Sequence, residues 1–295
     1  MIEVLRSGPL TTIQDLGRPG HAHLGVGRSG AVDRPSLRLA NRLVGNPEGT
    51  AALELTFGGL ALRAMQSVTV ALTGAPCEAM VGGRGRDLFA PLALNAGDIL
   101  ELGMPSRGVR TYLAMRGGID CDPVLGSRST DLLSHLGPHR LRDGDQLAIG
   151  RPNGDAPGVD VAPVRGLPDE PVLRVVPGPR DDWFTPGALV ALGRTRYDVT
   201  SSSDRVGVRL DGPPLERSRG DELPSEGMVE GAVQVPPDGH PVIFLADHPV
   251  TGGYPVIAVV HPDDIAMAAQ LRPGQPVRFE VGSLGRRDRV RPLHG

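Results

Sequence analysis

Short apolar segments recur along the chain and are separated by Gly, Pro, Asp and Asn. Most are four to seven residues long and rich in β-branched side chains, the pattern of β-strands. Long helical patterns between them are scarce, which disfavours alternating strand–helix units around a parallel sheet. The predicted strands cover residues 2–5, 51–55, 68–72, 99–102, 109–115, 146–149, 172–176, 242–246, 256–260 and 277–281.

Two segments have the pattern of helices. The first covers 34–44, with Asp33 as its cap and Gly45 after its end, because Asp is favoured at the start of a helix and Gly beyond its end. The second covers 263–271, capped by Asp263.

Three arginines recur at four-residue spacing in the first helix and therefore share one face. They are Arg34, Arg38 and Arg42. This face is either solvated or a docking surface for an acidic partner.

Residues 150–170 are rich in Gly, Pro and Asp and have little hydrophobic periodicity, which is typical of a linker. They divide the chain into an N-terminal domain, 1–155, and a C-terminal domain, 170–295, and strands that cross between the two remain an open alternative. The chain holds 41 Gly and 29 Pro without a collagen period. We therefore expect a turn-rich, mostly β protein of two domains with a few short helices.

The composition excludes several functions. All 31 basic residues are arginine, so the chain has no lysine to carry biotin, to form a Schiff base or to complete a P-loop. The net charge is −3 and aromatics make up 3%, which disfavours a nucleic-acid partner. No stretch approaches the 18 apolar residues of a membrane span, and the N-terminus has no signal-peptide pattern. We expect a cytoplasmic protein.

Polar side chains among glycines are concentrated near the start of the chain. The segment TTIQDLGRPG carries Asp15 and Arg18, and GVGRSGAVD carries Ser29 and Asp33. Glycine lets backbone N–H groups turn toward a ligand, while Asp and Arg bind its polar ends. The alternative is a structural pair of Asp15 and Arg18 in a looped hairpin.

A second polar concentration is TSSSDRVGVRLDGP, with Ser203 and Arg205. In an extended strand Arg205 and Arg209 share one face, where they form either a clamp for a carboxylate or phosphate or surface ion pairs with Asp211 and Glu216.

A third concentration runs from 225 to 254 and includes Glu226, Gln234 and Asp247, followed by the TGGY segment at 251–254. Glu226 and Asp247 form either an acid–base or ammonium-binding pair or two structural carboxylates.

The histidines and cysteines do not form a pattern of metal ligands. His21 with His23, and His135 with His139, lack the flanking carboxylates or cysteines of known motifs, so no metal site is predicted. Two cysteines are too few for a disulfide framework.

In this order, these segments resemble a known family. TTIQDLGRPG, GVGRSGAVD, LANRLVGNPEGTAALE, PVLGSRSTDLLSHLG, SDRVGVRLDGPPLE, SEGMVEGAVQVPPDG and LADHPVTGGYPVIA are similar to the family of 5-oxoprolinase C subunits, also described as a biotin-dependent carboxyltransferase domain, allophanate hydrolase subunit 2 and kinase-inhibitor antagonist. The resemblance implies two cyclophilin-like β-barrels. It also implies partners, the 5-oxoprolinase subunits A and B, that assemble with the chain into an enzyme.

The implied reaction is the ATP-driven opening of the lactam 5-oxo-L-proline to L-glutamate, with ATP and Mg²⁺ bound by the assembled complex and no biotin attached to this chain. We expect Glu226 and Asp247 to be catalytic. The residues expected to bind substrate are Asp15, Arg18, Ser29, Asp33, Ser203, Arg205, Gln234, Thr251, Gly252, Gly253 and Tyr254.

Two other functions remain open. One is a carboxyltransferase for a urea or allophanate substrate that takes carboxybiotin from another protein. The other is a non-catalytic regulator that binds a partner protein.

Overall fold

The computed structural model describes residues 1–152, 154–155 and 157–282. Twelve strands lie before the linker. They are β1 (Ile2–Arg6), β2 (Leu10–Gln14), β3 (Ala52–Thr56), β4 (Ala61–Ala64), β5 (Val68–Gly74), β6 (Cys77–Val81), β7 (Arg84–Gly85), β8 (Pro91–Leu94), β9 (Ile99–Pro105), β10 (Arg110–Met115), β11 (Ile119–Asp120) and β12 (Gln146–Ile149).

These strands form two sheets around one core. The first has the order β11-β12-β1-β4-β9-β6-β7 and the second β2-β3-β10-β5-β8. In the second sheet, alternate residues such as Leu53 and Leu55 of β3 point into the core. Residues of opposite parity, such as Ala52 of β3 and Tyr112 of β10, face a helix. Both faces are therefore covered, as the nearly continuous apolar runs in these strands require.

Residues 157–282 contain nine strands. They are β13 (Val172–Pro177), β14 (Arg196–Val199), β15 (Gly207–Asp211), β16 (Glu226–Gly227), β17 (Ala232–Gln234), β18 (Val242–Phe244), β19 (Thr251–Gly252), β20 (Val256–Val260) and β21 (Pro276–Val281). Seven of them close a barrel in the order β13-β20-β17-β18-β15-β14-β21, and β16 pairs with β19 in a separate ribbon. The first barrel strand, β13, pairs in parallel with the last, β21.

In the part of the chain that the structure describes, three α-helices accompany the strands: α1 (Arg34–Leu43), α2 (Ala188–Arg194) and α3 (Ile265–Ala268). Short 3₁₀ turns cover Ala22–Leu24, Asp181–Trp183 and Pro262–Asp264. Within the described part of the chain, none of the helices has the length and apolar character needed to cross a bilayer.

The sequence predicted most of these elements. A mostly β chain with few helices is confirmed, and each of the ten predicted strand segments coincides with a strand. The segment 150–170 contains no strand or helix among its described residues. The domain boundaries themselves stay a prediction.

The first helix forms as predicted. The Oδ1 atom of Asp33 accepts the N–H of Ser36 at 3.0 Å, and Gly45 follows with φ +72. The second prediction is wrong in length and cap, because only Ile265–Ala268 is α-helical and the preceding turn is capped by His261. The chain continues past Ala268 as a turn, and the side chain of Gln270 in this turn donates to Asp33 and to the carbonyl of Arg110.

The arginine face of α1 is engaged within the chain. Arg34 pairs with Glu230 at 2.7 Å, while Arg38 and Arg42 pair with Glu48 at 3.5 and 2.8 Å. The first pair joins the two halves of the protein. The side chains of Arg38 and Arg42 are 43% and 57% exposed, so the solvated interpretation holds for these two, whereas Arg34 is mostly buried by its pair with Glu230; a docking surface for an acidic partner stays a prediction.

Candidate functional site

One face of the five-stranded sheet carries a row of polar side chains. Glu54 of β3 lies directly opposite Thr12 of β2 on one side and Tyr112 of β10 on the other. Because side chains alternate between faces, Gln14 and Arg110 lie on the same face two residues along their strands. The sheet register therefore gathers five polar groups on the face that meets the C-terminal barrel.

Glu54 is the centre of this row and is 1% exposed. Its Oε2 accepts the hydroxyl of Tyr112 at 2.6 Å and the N–H of Val32 at 3.0 Å. Its Oε1 accepts Nη1 of Arg205 and lies 3.7 Å from Nε of Arg110. Burial, followed by the negative charge of Glu54, raises the pKa of Tyr112 well above its ordinary value. The phenol therefore stays protonated and donates.

Arg205 enters this cluster from the C-terminal half. Its Nε and Nη2 donate to the two carboxylate oxygens of Asp247 at 2.9 and 3.0 Å, and Nη2 also donates to the carbonyl of Gly30 at 2.7 Å. Ser29, with φ +52, donates its hydroxyl to Asp247 at 2.7 Å. Burial works to lower the pKa of Arg205, but the charges of Asp247 and Glu54 outweigh it and hold this pKa above its ordinary value.

Asp33 lies at the edge of the same cluster. Its N–H donates to the hydroxyl of Tyr112 at 2.8 Å, and its Oδ2 accepts the hydroxyl of Ser36 and the amide of Gln270, each at 2.7 Å. Burial raises the pKa of this carboxyl. Gln270 belongs to the C-terminal half, so Asp33 also joins the two halves.

Asp15 holds a different loop, residues 127–129. Its carboxylate accepts the hydroxyls of Ser127 at 2.7 Å and Ser129 at 2.5 Å, and the N–H groups of Gly17 at 2.7 Å and Arg128 at 2.6 Å. Because four donors satisfy this one buried carboxylate, Asp15 has a structural role and fixes the conformation of the loop.

Arg18 is fully buried beside that loop and is bonded to it. Its Nη2 donates to the carbonyl of Ser129, and Nε donates to that of Val124 at 3.3 Å. Its Nη1 lies 3.8 Å from Oδ2 of Asp131 and has no hydrogen-bond partner among the described residues. Asp15 and Arg18 do not pair with each other; they hold the same loop from two sides.

The remaining predicted residues lie elsewhere. Glu226 lies in the ribbon opposite Gly252 and forms a two-nitrogen ion pair with Arg180. Asp247 is bound by Arg205 and Ser29, as described above. The two expected catalytic carboxylates thus have different partners, and no hydrogen bond joins them in the described structure.

A cavity of about 720 Å³ lies beside the ribbon. Gly253 and Tyr254 line it, and Tyr254 is 45% exposed. The guanidinium of Arg217 lies 5.9 Å from the Tyr254 ring centroid and donates to the carbonyl of Val235. Gln234 donates to the carbonyl of Tyr254 at 3.1 Å. Of the predicted residues, Gly253 and Tyr254 thus line this cavity, while Gly252 and the exposed Thr251 precede them in strand β19.

The predicted shared face of Arg205 and Arg209 is wrong, so the described residues form neither the clamp nor the surface pairs with Asp211 and Glu216. Arg205 precedes strand β15 and is buried against Asp247, while Arg209 lies within that strand and is exposed. A turn over 203–207 separates them: Ser203 accepts the N–H of Arg209 at 3.0 Å, and Asp204 accepts those of Val206 and Gly207. Ser203 thus closes the turn that aims Arg205 inward.

The structure adds residues that the sequence reasoning missed. Glu54, Arg110 and Tyr112 lie within strands that are otherwise apolar. A charged residue inside a buried strand is rare unless it is paired, and this signal was available in the sequence. Thr130 and Asp131 had no comparable local signal, because their surroundings come from distant segments.

The described residues contain no group of three or more His, Cys, Asp or Glu side chains placed to hold a metal. The carboxylates of Glu54 and Asp247 are matched by arginine. These two carboxylates therefore do not form a complete magnesium site within residues 1–152, 154–155 and 157–282.

The family description "Carboxyltransferase domain, subdomain A and B" matches residues 24–281. The chain belongs to this family. It is 40% identical to the 5-oxoprolinase C subunit of Escherichia coli over 96% of this chain and 92% of that protein. It is 35% identical to the 5-oxoprolinase C subunit of Haemophilus influenzae over the same shares of the two chains. It is also 33% identical to urea amidolyase of Saccharomyces cerevisiae, over 94% of this chain but 16% of that protein.

Solved structures of related proteins have the same fold. TTHA0988 has a TM-score of 0.87 at 38% identity over 95% of this chain, and this chain spans 55% of its length. The urea carboxylase of Kluyveromyces lactis has a TM-score of 0.87 at 31% identity over 94% of this chain and 27% of that chain. Carboxyltransferase-family members thus occur both at about this length and as parts of longer chains.

Proposed function

We propose that this chain is the C subunit of an ATP-dependent 5-oxoprolinase, which opens 5-oxo-L-proline to L-glutamate together with subunits A and B. The supporting observation is its match to the C subunit of the Escherichia coli enzyme along 92% of that protein. The urea amidolyases match only a region that makes up 16–17% of their length. Because the chain matches almost all of the 5-oxoprolinase subunit and only a small part of the urea amidolyases, the comparison favours the function of the 5-oxoprolinase subunit.

The chemistry explains why several subunits are needed. A lactam carbonyl is a poor electrophile, and ATP supplies the phosphoryl group that activates its oxygen. Among the described residues, Glu226 and Asp247 are both held by arginine, so neither is a free acid or base in this chain. We expect partner subunits to complete the site that binds ATP and Mg²⁺, and the chain alone to be inactive.

Reconstitution tests this proposal. The chain is mixed with subunits A and B, ATP, Mg²⁺ and 5-oxoproline, and glutamate and ADP are measured. We expect glutamate release only with all three subunits present. No glutamate from the full mixture contradicts the proposal.

An Asp247→Asn variant in the same assay tests the catalytic assignment. A loss of kcat in fully folded assemblies supports a catalytic Asp247, whereas a loss that follows the folded fraction supports its structural role beside Arg205.

A second candidate is a carboxyltransferase for urea-type substrates. The likeness to urea carboxylase, with a TM-score of 0.87, favours it. Because the chain has no lysine, carboxybiotin would have to come from another protein. Carboxylation of urea by an assembly that includes a biotin carrier, without glutamate release from 5-oxoproline, would select this candidate.

A further inference from the structure

A second cavity, of about 410 Å³, lies between helix α1 and the linker segment 150–170. Its volume is in the range that small-molecule sites occupy. Three parts of the chain form its wall: α1 with the end of strand β5 from the N-terminal half, residues 164–167 of the linker, and Gln270 from the C-terminal half. A molecule held here would therefore contact both halves of the protein and the segment that joins them.

The wall of this cavity is largely apolar. Its apolar side chains are Pro35, Leu39, Pro76, Phe89, Val164 and Leu167. Val164 stays exposed although it is apolar, so part of this surface has no cover from the chain itself. Small-molecule sites have this character, with apolar walls and a few polar groups that orient the ligand.

Hydrogen bonds hold the linker in place beside the cavity. The N–H of Ala162 donates to the carbonyl of Phe89 at 2.8 Å, and Nη1 of Arg107 donates to the carbonyl of Leu167 at 3.0 Å. Phe89 has φ +61, a costly conformation for a bulky residue, and its own N–H donates to the carbonyl of Leu72 at 2.7 Å. These bonds fix the wall, so a ligand would enter a cavity that is already formed.

The polar groups at the inner end of the cavity are already paired. Asp33 and Gln270 are the buried residues of its lining. The amide of Gln270 donates to Oδ2 of Asp33 at 2.7 Å. Ser36 donates its N–H to Oδ1 at 3.0 Å and its hydroxyl to Oδ2 at 2.7 Å. Both carboxylate oxygens thus have partners within the chain, and neither requires a ligand.

The charge at the mouth of the cavity is positive. Arg42 and Arg165 line the cavity and are exposed. Arg42 shares the carboxylate of Glu48 with Arg38, so one negative charge faces two guanidinium groups. Arg165 pairs with no carboxylate among the described residues. An anionic group is therefore favoured at the mouth, and a cationic group is disfavoured.

We propose that this cavity binds a small organic anion that has an apolar body and one carboxylate. The body packs against Leu39, Phe89 and Val164, and the carboxylate lies at the mouth beside Arg165. Because the ligand contacts only the folded arrangement of these segments, it stabilises the folded protein. The site is independent of the 5-oxoprolinase assignment, because the polar lactam ring of 5-oxoproline does not match an apolar wall.

Calorimetry with three probes that share one apolar body tests the charge preference. They are 4-phenylbutyrate, 4-phenylbutanol and 4-phenylbutylamine, which are negative, neutral and positive. We expect saturable binding of the carboxylate, about fivefold weaker binding of the alcohol, which lacks one exposed ion pair, and the weakest binding of the amine. Saturating 4-phenylbutyrate should also raise the Tm. Equal binding of the three probes, or no binding of 4-phenylbutyrate, would overturn the proposal.

Two variants at exposed positions of the linker locate the site. Arg165→Gln removes the positive charge and should reduce the affinity for 4-phenylbutyrate to that for 4-phenylbutanol. Val164→Glu places a negative charge at the mouth and should weaken 4-phenylbutyrate about tenfold, because like charges repel. Both side chains are exposed, so the Tm without ligand should stay unchanged.

The same chain offers matched controls. Val161 is an exposed linker residue that is not part of the cavity lining, so Val161→Glu should bind 4-phenylbutyrate like the wild type. Arg209→Gln, at an exposed position of β15, is the corresponding control for Arg165→Gln. Equal weakening by Val161→Glu and Val164→Glu would reflect a general effect of charge and would overturn this placement. Unchanged binding in both Arg165→Gln and Val164→Glu would overturn it as well.

Discussion

A guanidinium group carries five N–H donors in a fixed plane and stays charged when buried. Arg205 uses this geometry to bond two carboxylates and one carbonyl at once. A lysine ammonium has three donors on a flexible stem and could not reproduce the planar pairing with Asp247. The buried cluster therefore depends on the type of the cationic residue as well as on its charge.

At this scale the Tyr112 hydroxyl is the most sharply testable group. Tyr112→Phe removes the donor to Glu54 and the acceptor for the N–H of Asp33 and leaves both partners buried. We expect the free energy of unfolding to fall by about 2 kcal/mol. Urea unfolding followed by circular dichroism measures this, and an unchanged midpoint would contradict the assigned bonds.

The sequence identified many polar residues of the buried cluster but not their partners. Ser29, Arg205 and Asp247 could be selected because they stand among glycines and turns. Their partners lie 42 to 218 residues away along the chain, and no local pattern encodes contacts over such separations. For this reason the pairing of Asp247 with Ser29 could not be anticipated.

At the scale of single elements, the sequence predicted a helix correctly where capping residues were present at both of its ends. Helix α1 has a capping Asp33, an early Pro and a Gly after its end, and its bounds were predicted to within one residue. Helix α2 was missed because its N-cap is Gly187, which has no side chain to accept a capping hydrogen bond. Its apolar face is instead covered by the barrel, and that packing is not visible in the local sequence.

The cap of α1 also carries a pH dependence. Burial raises the pKa of Asp33 above its ordinary value of 3.8, so the folded state binds a proton more tightly than the unfolded state. The stability from this group is fully present below pH 3.8 and is lost as the pH rises through the folded-state pKa.

Asp33→Asn should remove this dependence. Thermal melts across a pH series should show a smaller fall in Tm above pH 3.8 for the variant than for the wild type. The readout is the difference in slope, so an overall offset from altered bonds to Gln270 does not affect it. Parallel curves would show that Asp33 does not titrate as described.

At the scale of the whole molecule, buried polar bonds fasten the two halves together. Arg205 joins Glu54, Ser29 joins Asp247, and Gln270 joins Asp33. The sequence predicted two β domains, but it could not show that the residues expected to bind substrate would also form the contact between them.

Arg205→Ala should test this contact. It leaves Glu54 and Asp247 buried without their cation, and such a loss typically costs about 3–5 kcal/mol. We expect a large drop in Tm and a melting transition that separates into two. Arg209→Ala, at an exposed position on β15, should melt like the wild type. Equal melting of the two variants would contradict a structural role for the cluster.

The parallel pair of β13 and β21 has a consequence for synthesis. The first strand of the barrel, Val172–Pro177, keeps one edge uncovered until the strand Pro276–Val281 has been synthesised and pairs with it. A nascent chain that has emerged only as far as residue 275 therefore exposes the backbone edges of both β13 and β14, which are the kind of surface that recruits other strands. Until residues 276–281 have been synthesised, these two strands can pair with a strand of another chain.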